Sequence, residues 1–145
     1  MTNPFAHIEL STDDAVTARK FYAKLFPSWK VTDMPMPSGV YSLIDPGLRG
    51  PGRKAAAAGG IQKKPFVGMP TGWTPYIQVD DVTRALARAE KLGATRTAGP
   101  EDIGMGIIAV FTDPSGAPCG LWTPNAPKAK KRTKKPAKAA KRRRK

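Results

Sequence analysis

DDAVTARKFYAKLF, residues 13–26, and DDVTRALARAEKLG, residues 80–93, open on the same pair of aspartates 67 residues apart. Ala18, Lys24 and Leu25 of the first stand in the places of Ala85, Lys91 and Leu92 of the second. A short alternating run precedes each, HIEL at residues 7–10 and YIQV at 76–79. Downstream, the same offset superposes SGVYSLID, residues 38–45, on MGIIAVFT, residues 105–112. Self-similarity at a fixed period is the mark of a duplicated supersecondary unit, so the chain reads as two copies of one module.

Each module reads as a strand, a helix and three further strands. Ala15, Ala18, Phe21 or Tyr22, and Leu25 recur at helical spacing, as do Val82, Ala85, Leu86, Ala89 and Leu92. An aspartate at each start caps exposed amides and opposes the helix dipole. Gly93 follows the second helix in the position where left-handed backbone ends a helix. The later strands are WKVTDM, GVYSLID and AAAAGGIQ in the first module and ATRTA, GIIAVFT and APCGLW in the second. Asp113-Pro114-Ser115-Gly116 is a turn, since proline fixes one backbone angle and glycine frees another. KKPFVGMPTGW, residues 63–73, joins the modules. These elements predict an α+β fold of two βαβββ modules, about 4–62 and 74–124.

Charge divides the chain. Of 25 Lys and Arg, 12 lie in the last 18 residues, which hold no Asp or Glu, leaving 13 basic against 11 acidic side chains before them. A nearly neutral body of this size buries a core without disulfides. The single cysteine, Cys119, forms no internal bridge. No apolar run reaches the ~20 residues that span a bilayer, and no basic-then-apolar leader opens the chain. The expectation is a cytoplasmic protein with no membrane contact. RGPGRK and AAAAGGIQ contain close glycines but lack the strand, glycine and helix context of a nucleotide loop, which leaves no cofactor expected.

With ELSTDD, FYAKLFPSW, GGI, PYIQVDDV, AEKLGA, DPSG and GLW in this order, the chain resembles the vicinal oxygen chelate superfamily over roughly residues 4–124. That superfamily includes glyoxalase I, extradiol dioxygenases and bleomycin-binding proteins. The resemblance implies a glyoxalase/bleomycin resistance-like domain over 1–125, its modules curling into a cup-shaped, partly closed mixed sheet. Metal-bearing members ligate from the first and last strand of each module, positions held here by His7, Gly60, Thr74 and Gly120. A tight divalent site needs about three ligands of His, Asp, Glu or Cys type, so no metal is expected. Glycine at 60 and 120 is expected to enlarge the cup floor.

His7 is the sole histidine. Alternation turns Ile8 and Leu10 to the helix and His7, Glu9 and Ser11 to the cup. His7 and Glu9 are the candidate catalytic pair, a carboxylate one pleat from an imidazole; hydrogen-bonded cavity lining is the alternative. Cys119 points away beside Leu121, and no sequence signature marks a nucleophile. Tyr76, Gln78 and Trp122 join His7, Glu9 and Gln62 as ligand-binding candidates, a lining that suits a small planar or aromatic molecule. Tyr76 and Trp122 filling the cup themselves is equally consistent with the sequence. Phe66, Met69 and Trp73 in the joining loop cover the mouth or an interface. Members often dimerise, which implies a homodimer.

Residues 126–145 have no aromatic, no acid and no apolar side chain larger than alanine, so they cannot bury enough surface to fold. Lys128, Lys130, Lys131, Arg132, Lys134, Lys135, Lys138, Lys141, Arg142, Arg143, Arg144 and Lys145 form a disordered polycation suited to non-specific contact with nucleic-acid phosphates. The sequence therefore points to a metal-independent small-molecule-binding protein with a nucleic-acid-binding tail. The alternative is an enzyme of lyase or dioxygenase-like type using His7 and Glu9.

Overall fold

The computed structural model describes residues 2–36, 39–47 and 58–125; the basic tail lies outside them. The order is β1 (Phe5–Thr12), α1 (Ala15–Leu25), β2 (Lys30–Met36), β3 (Gly39–Asp45), β4 (Gly59–Lys63), β5 (Gly72–Gln78), α2 (Val82–Lys91), β6 (Thr95–Asp102), β7 (Gly106–Thr112) and β8 (Pro118–Pro124). Two βαβββ modules are thus present. The aspartate caps form as expected. The Thr17 amide donates to Asp14 and the Arg84 amide to Asp81, each at 2.9 Å. Gly93 follows α2 with φ +96, the left-handed backbone a side chain would resist.

All eight strands form one mixed sheet, ordered β2-β3-β4-β1-β5-β8-β7-β6, with β2 and β6 as open edges. β1 runs parallel to β4 and β5 parallel to β8, while β1 and β5 join the modules antiparallel. At that seam His7 faces Tyr76 and Glu9 faces Thr74. Shifting 7 and 9 by the repeat offset gives 74 and 76, so the seam maps onto itself when the modules exchange. Sequence duplication has become a local two-fold axis.

Each helix covers its own half of the outer face. Leu10, Ile44 and Ile61 are buried with Ala15, Ala18, Tyr22 and Trp73 around them, and Val82, Leu86, Ala109 and Leu121 form the second cluster. Two expectations need correction. Trp73 is not part of a joining loop over the mouth. It belongs to β5, packs in the first cluster and donates its indole N–H to the Tyr22 hydroxyl. The last strand of the first module begins at Gly59, not in the alanine run before it; residues 55–57 of that run are outside the described segments.

A carboxylate network as the candidate functional site

Because successive strand residues alternate faces, burial of Leu10, Ile61 and Leu121 against the helices fixes which neighbours turn the other way. His7, Glu9 and Ser11 of β1, Gly60 and Gln62 of β4, Tyr76 of β5, and Gly120 and Trp122 of β8 share the inner face. Register adds Tyr41, through Leu43 paired with Gly60 on the same side of β3. The sequence placed all of these inward except Tyr41, whose strand had no assigned facing.

Glu9 is the hub. Its Oε1 accepts from Gln62 Nε2 at 2.8 Å and the Tyr76 hydroxyl at 3.2 Å, and its Oε2 accepts from the Tyr41 hydroxyl at 3.1 Å. Gln62 Nε2 also reaches Ser11 Oγ at 3.4 Å. His7 Nε2 lies 2.8 Å from the Tyr41 oxygen. With the Tyr41 proton directed at Glu9, that contact has the imidazole N–H donating. His7 and Glu9 therefore communicate through Tyr41. The His7 ring stacks at 20° to Tyr41 and meets Tyr76 edge-on at 71°.

Burial raises the Glu9 carboxyl above the usual range near 4.5, and its bonds from Tyr41, Tyr76 and Gln62 pull the other way. Both phenols are held well above their ordinary value, first by burial and then by the neighbouring Glu9 charge. At neutral pH they are neutral donors. Cys119 is half-buried, and burial pushes its thiol up, the opposite of an activated nucleophile.

The two glycines do not enlarge the cup. A Cβ on Gly60 would fall on the Tyr41 hydroxyl, and one on Gly120 would fall on the Tyr76 ring. The space a ligating side chain would need is occupied by the two phenols that hold Glu9. Gly106 makes the same allowance for Trp122, whose indole nitrogen would lie 2.6 Å from an added Cβ. Gln78 and Trp122 stand on this face outside the Glu9 group.

The donor set does not fit a metal ion of the kind the resemblance implies. Of the four positions only His7 bears a metal-ligating group, and its Nε2 is already engaged. Among the described residues no three His, Cys, Asp or Glu side chains converge. Two open clefts, about 480 and 390 Å³, lie on the helix-bearing face instead. The first is lined by Ile8, Trp29 and Trp73 with little to orient a ligand, and the second by Leu10, Phe21 and Tyr22 with Thr12, Thr17, Thr71 and Asp14, whose carboxylate already caps α1. The polar network is the better-built site.

Similarity to known proteins agrees with this geometry. A family model described as a glyoxalase-like domain matches residues 7–121. A Mycobacterium tuberculosis protein named "Putative glyoxylase CFP32" is 36% identical over 121 residues, covering 81% of this chain and 44% of its own. The anthracycline biosynthesis protein DnrV of Streptomyces peucetius is 31% identical over 130 residues, covering 81% and 46%. The chain thus spans about half the length of the curated relatives it matches. A methylmalonyl-CoA epimerase from Streptomyces coelicolor shares the fold, with TM-score 0.63 and 14% identity over 87% of this chain and all of that one. No helix among the described residues is long and apolar enough to cross a membrane. Duplicated βαβββ modules, their antiparallel seam and the family match together establish that the chain belongs to the glyoxalase-like domain family of the vicinal oxygen chelate superfamily.

Proposed function

We propose that this chain is a small-molecule-binding domain whose cup works without a metal ion, holding a planar or aromatic ligand over Glu9, Tyr76 and Trp122, with Tyr41 and Gln62 fixing the carboxylate. The observation that carries this reading is the occupation of the Gly60 and Gly120 spaces by Tyr41 and Tyr76. A part-buried carboxylate fixed by three donors is a recognition element rather than half of a metal site. The name of the Streptomyces peucetius relative, an anthracycline biosynthesis protein, is compatible with a flat polycyclic ligand. A test is ligand screening by tryptophan fluorescence on the full chain, followed by elemental analysis. Binding weakened in both Tyr76→Ala and Trp122→Ala supports the cup. Stoichiometric metal bound through His7 would overturn the reading.

A second reading is favoured by one observation: Glu9 is only partly buried, and its carboxyl is raised towards the range useful to a general base. In this reading Glu9 takes a proton from the ligand, while Tyr41, oriented by His7, stabilises the resulting charge distribution. An activity lost in both His7→Ala and Glu9→Gln with folding retained would establish it. The polycationic residues 126–145 are proposed to bring the domain to nucleic-acid phosphates, and a second copy of the chain is the proposed assembly partner; sedimentation velocity reads the latter directly.

A further inference from the structure

The proton count of the network fixes what kind of ligand the cup can hold. An ionised carboxylate offers about four acceptor positions, and Tyr41, Tyr76 and Gln62 fill three of those on Glu9. Both phenolic protons are spent on Glu9, which leaves the Tyr76 oxygen with lone pairs only. The Tyr41 oxygen already accepts from His7. What remains on offer is the fourth position on Glu9 and the unused lone pairs of the phenol oxygens, which accept and do not donate.

Charge points the same way. The four central strands β1, β4, β5 and β8 contain no Arg and one Lys, Lys63. Lys63 lies on the face of β4 shared by the buried Ile61, away from the cup. Glu9 is therefore met by no Lys or Arg of these four strands, and the surrounding rings of His7, Tyr41 and Tyr76 present the aromatic surface that cations favour. A carbonyl- or carboxylate-bearing ligand seated on Glu9 would meet acceptors and a negative charge there, with the side-chain N–H donors of Gln78 and Trp122 standing outside the Glu9 group.

Resting on the binding role proposed above, we infer that the cup selects a planar ligand bearing a cationic nitrogen or an N–H donor, and discriminates against oxyanions. The site recognises an aromatic amine or amidine through the free acceptor of Glu9 and the Tyr76 oxygen, with the ligand body against the aromatic walls.

The test uses the full chain at neutral pH and moderate salt with two probes of one ring size, 9-aminoacridine as a planar cation and acridine-9-carboxylate as a planar anion. Cup binding is the component lost in Trp122→Leu. The chain's formal charge of +14 favours the anion by long-range attraction, so a preference for the cation must come from a local site. The expected result is cation binding in the cup about tenfold or more tighter than anion binding, with that preference lost in Glu9→Gln. Equal or tighter cup binding of the anion overturns the donor selection while leaving a binding cup intact. Absence of a Trp122-dependent component for either probe overturns the binding role and the selection together. The comparison of probes on the unaltered chain decides the matter even where Glu9→Gln fails to fold.

Discussion

Gly120→Ala tests whether the glycines serve the tyrosines. The added methyl would strike the Tyr76 ring along one edge, at Cδ1, Cε1 and Cγ, and Tyr76 is only 7% exposed, so the ring cannot swing clear as a mobile tip would. Overpacking of this kind costs about 1–3 kcal/mol. If the ring moves, the Tyr76 bond to Glu9 goes with it, and a hydrogen bond to a charged group contributes about 1.5–3 kcal/mol. Replacing glycine by alanine in a strand returns roughly 0.5–1 kcal/mol. The net expectation is a loss of about 2–5 kcal/mol. Urea unfolding of the full chain measures it, through a lowered midpoint at unchanged slope. Gly72→Ala is the control, because a Cβ there meets nothing within 4 Å and the backbone does not need positive φ; it should be neutral or slightly stabilising. If Gly120→Ala falls within about 0.5 kcal/mol of Gly72→Ala, the Tyr76 ring does not depend on that space.

Burial raises the Glu9 carboxyl above its unfolded value near 4.5, so its contribution to stability is fully present below that pH and is lost as pH rises through the folded value. Stability measured from acid towards neutral pH should therefore fall more for the parent than for Glu9→Gln; parallel profiles would contradict the burial argument. Gly60→Ala should cost less than Gly120→Ala, since the clash is with the hydroxyl end of Tyr41, and calorimetry on both variants gives the order. Asp81→Ala removes the acceptor for the Arg84 amide and should lose about 1 kcal/mol, read as a small drop in Tm. For the tail, if about 6 to 10 phosphates are neutralised, DNA affinity should drop roughly 10³- to 10⁵-fold between 50 and 200 mM salt. Fluorescence anisotropy should show that loss, with binding abolished on truncation after Pro124.

The duplication was legible because aspartate caps and apolar spacing recur at one offset, and neither depends on distant contacts. The inward set on β1 was legible for a similar reason: Leu10 had to meet α1, and alternation assigned His7 and Glu9 by elimination. Tyr41 was not legible. GVYSLID has Leu43 and Ile44 adjacent, so hydrophobicity alone does not say which face is core, and only the pairing of Leu43 with Gly60 fixes it. The same gap produced the wrong reading of the glycines. An absent side chain looks like empty space in one dimension, whereas the residue that fills it lies 19 positions before Gly60 on the preceding strand, and 44 positions before Gly120 on β5.

The seam between β1 and β5 places Glu9 and Tyr76 at the same position of the two modules, 67 residues apart, and joins them by one hydrogen bond. The backbone of the cup is therefore nearly two-fold while its chemistry is not. The first module contributes the acid, the imidazole, the amide and Tyr41 to its half. The second adds Tyr76 and Gln78 at the seam and lines the rest of its half with Trp122 and with the inner-facing Ile108 and Val110, paired to Trp122 and Gly120. A molecule with one polar end and one flat apolar end thus has a single favourable way round. The scaffold alone would accept two opposite orientations, and the substitution of side chains at matched positions removes one of them.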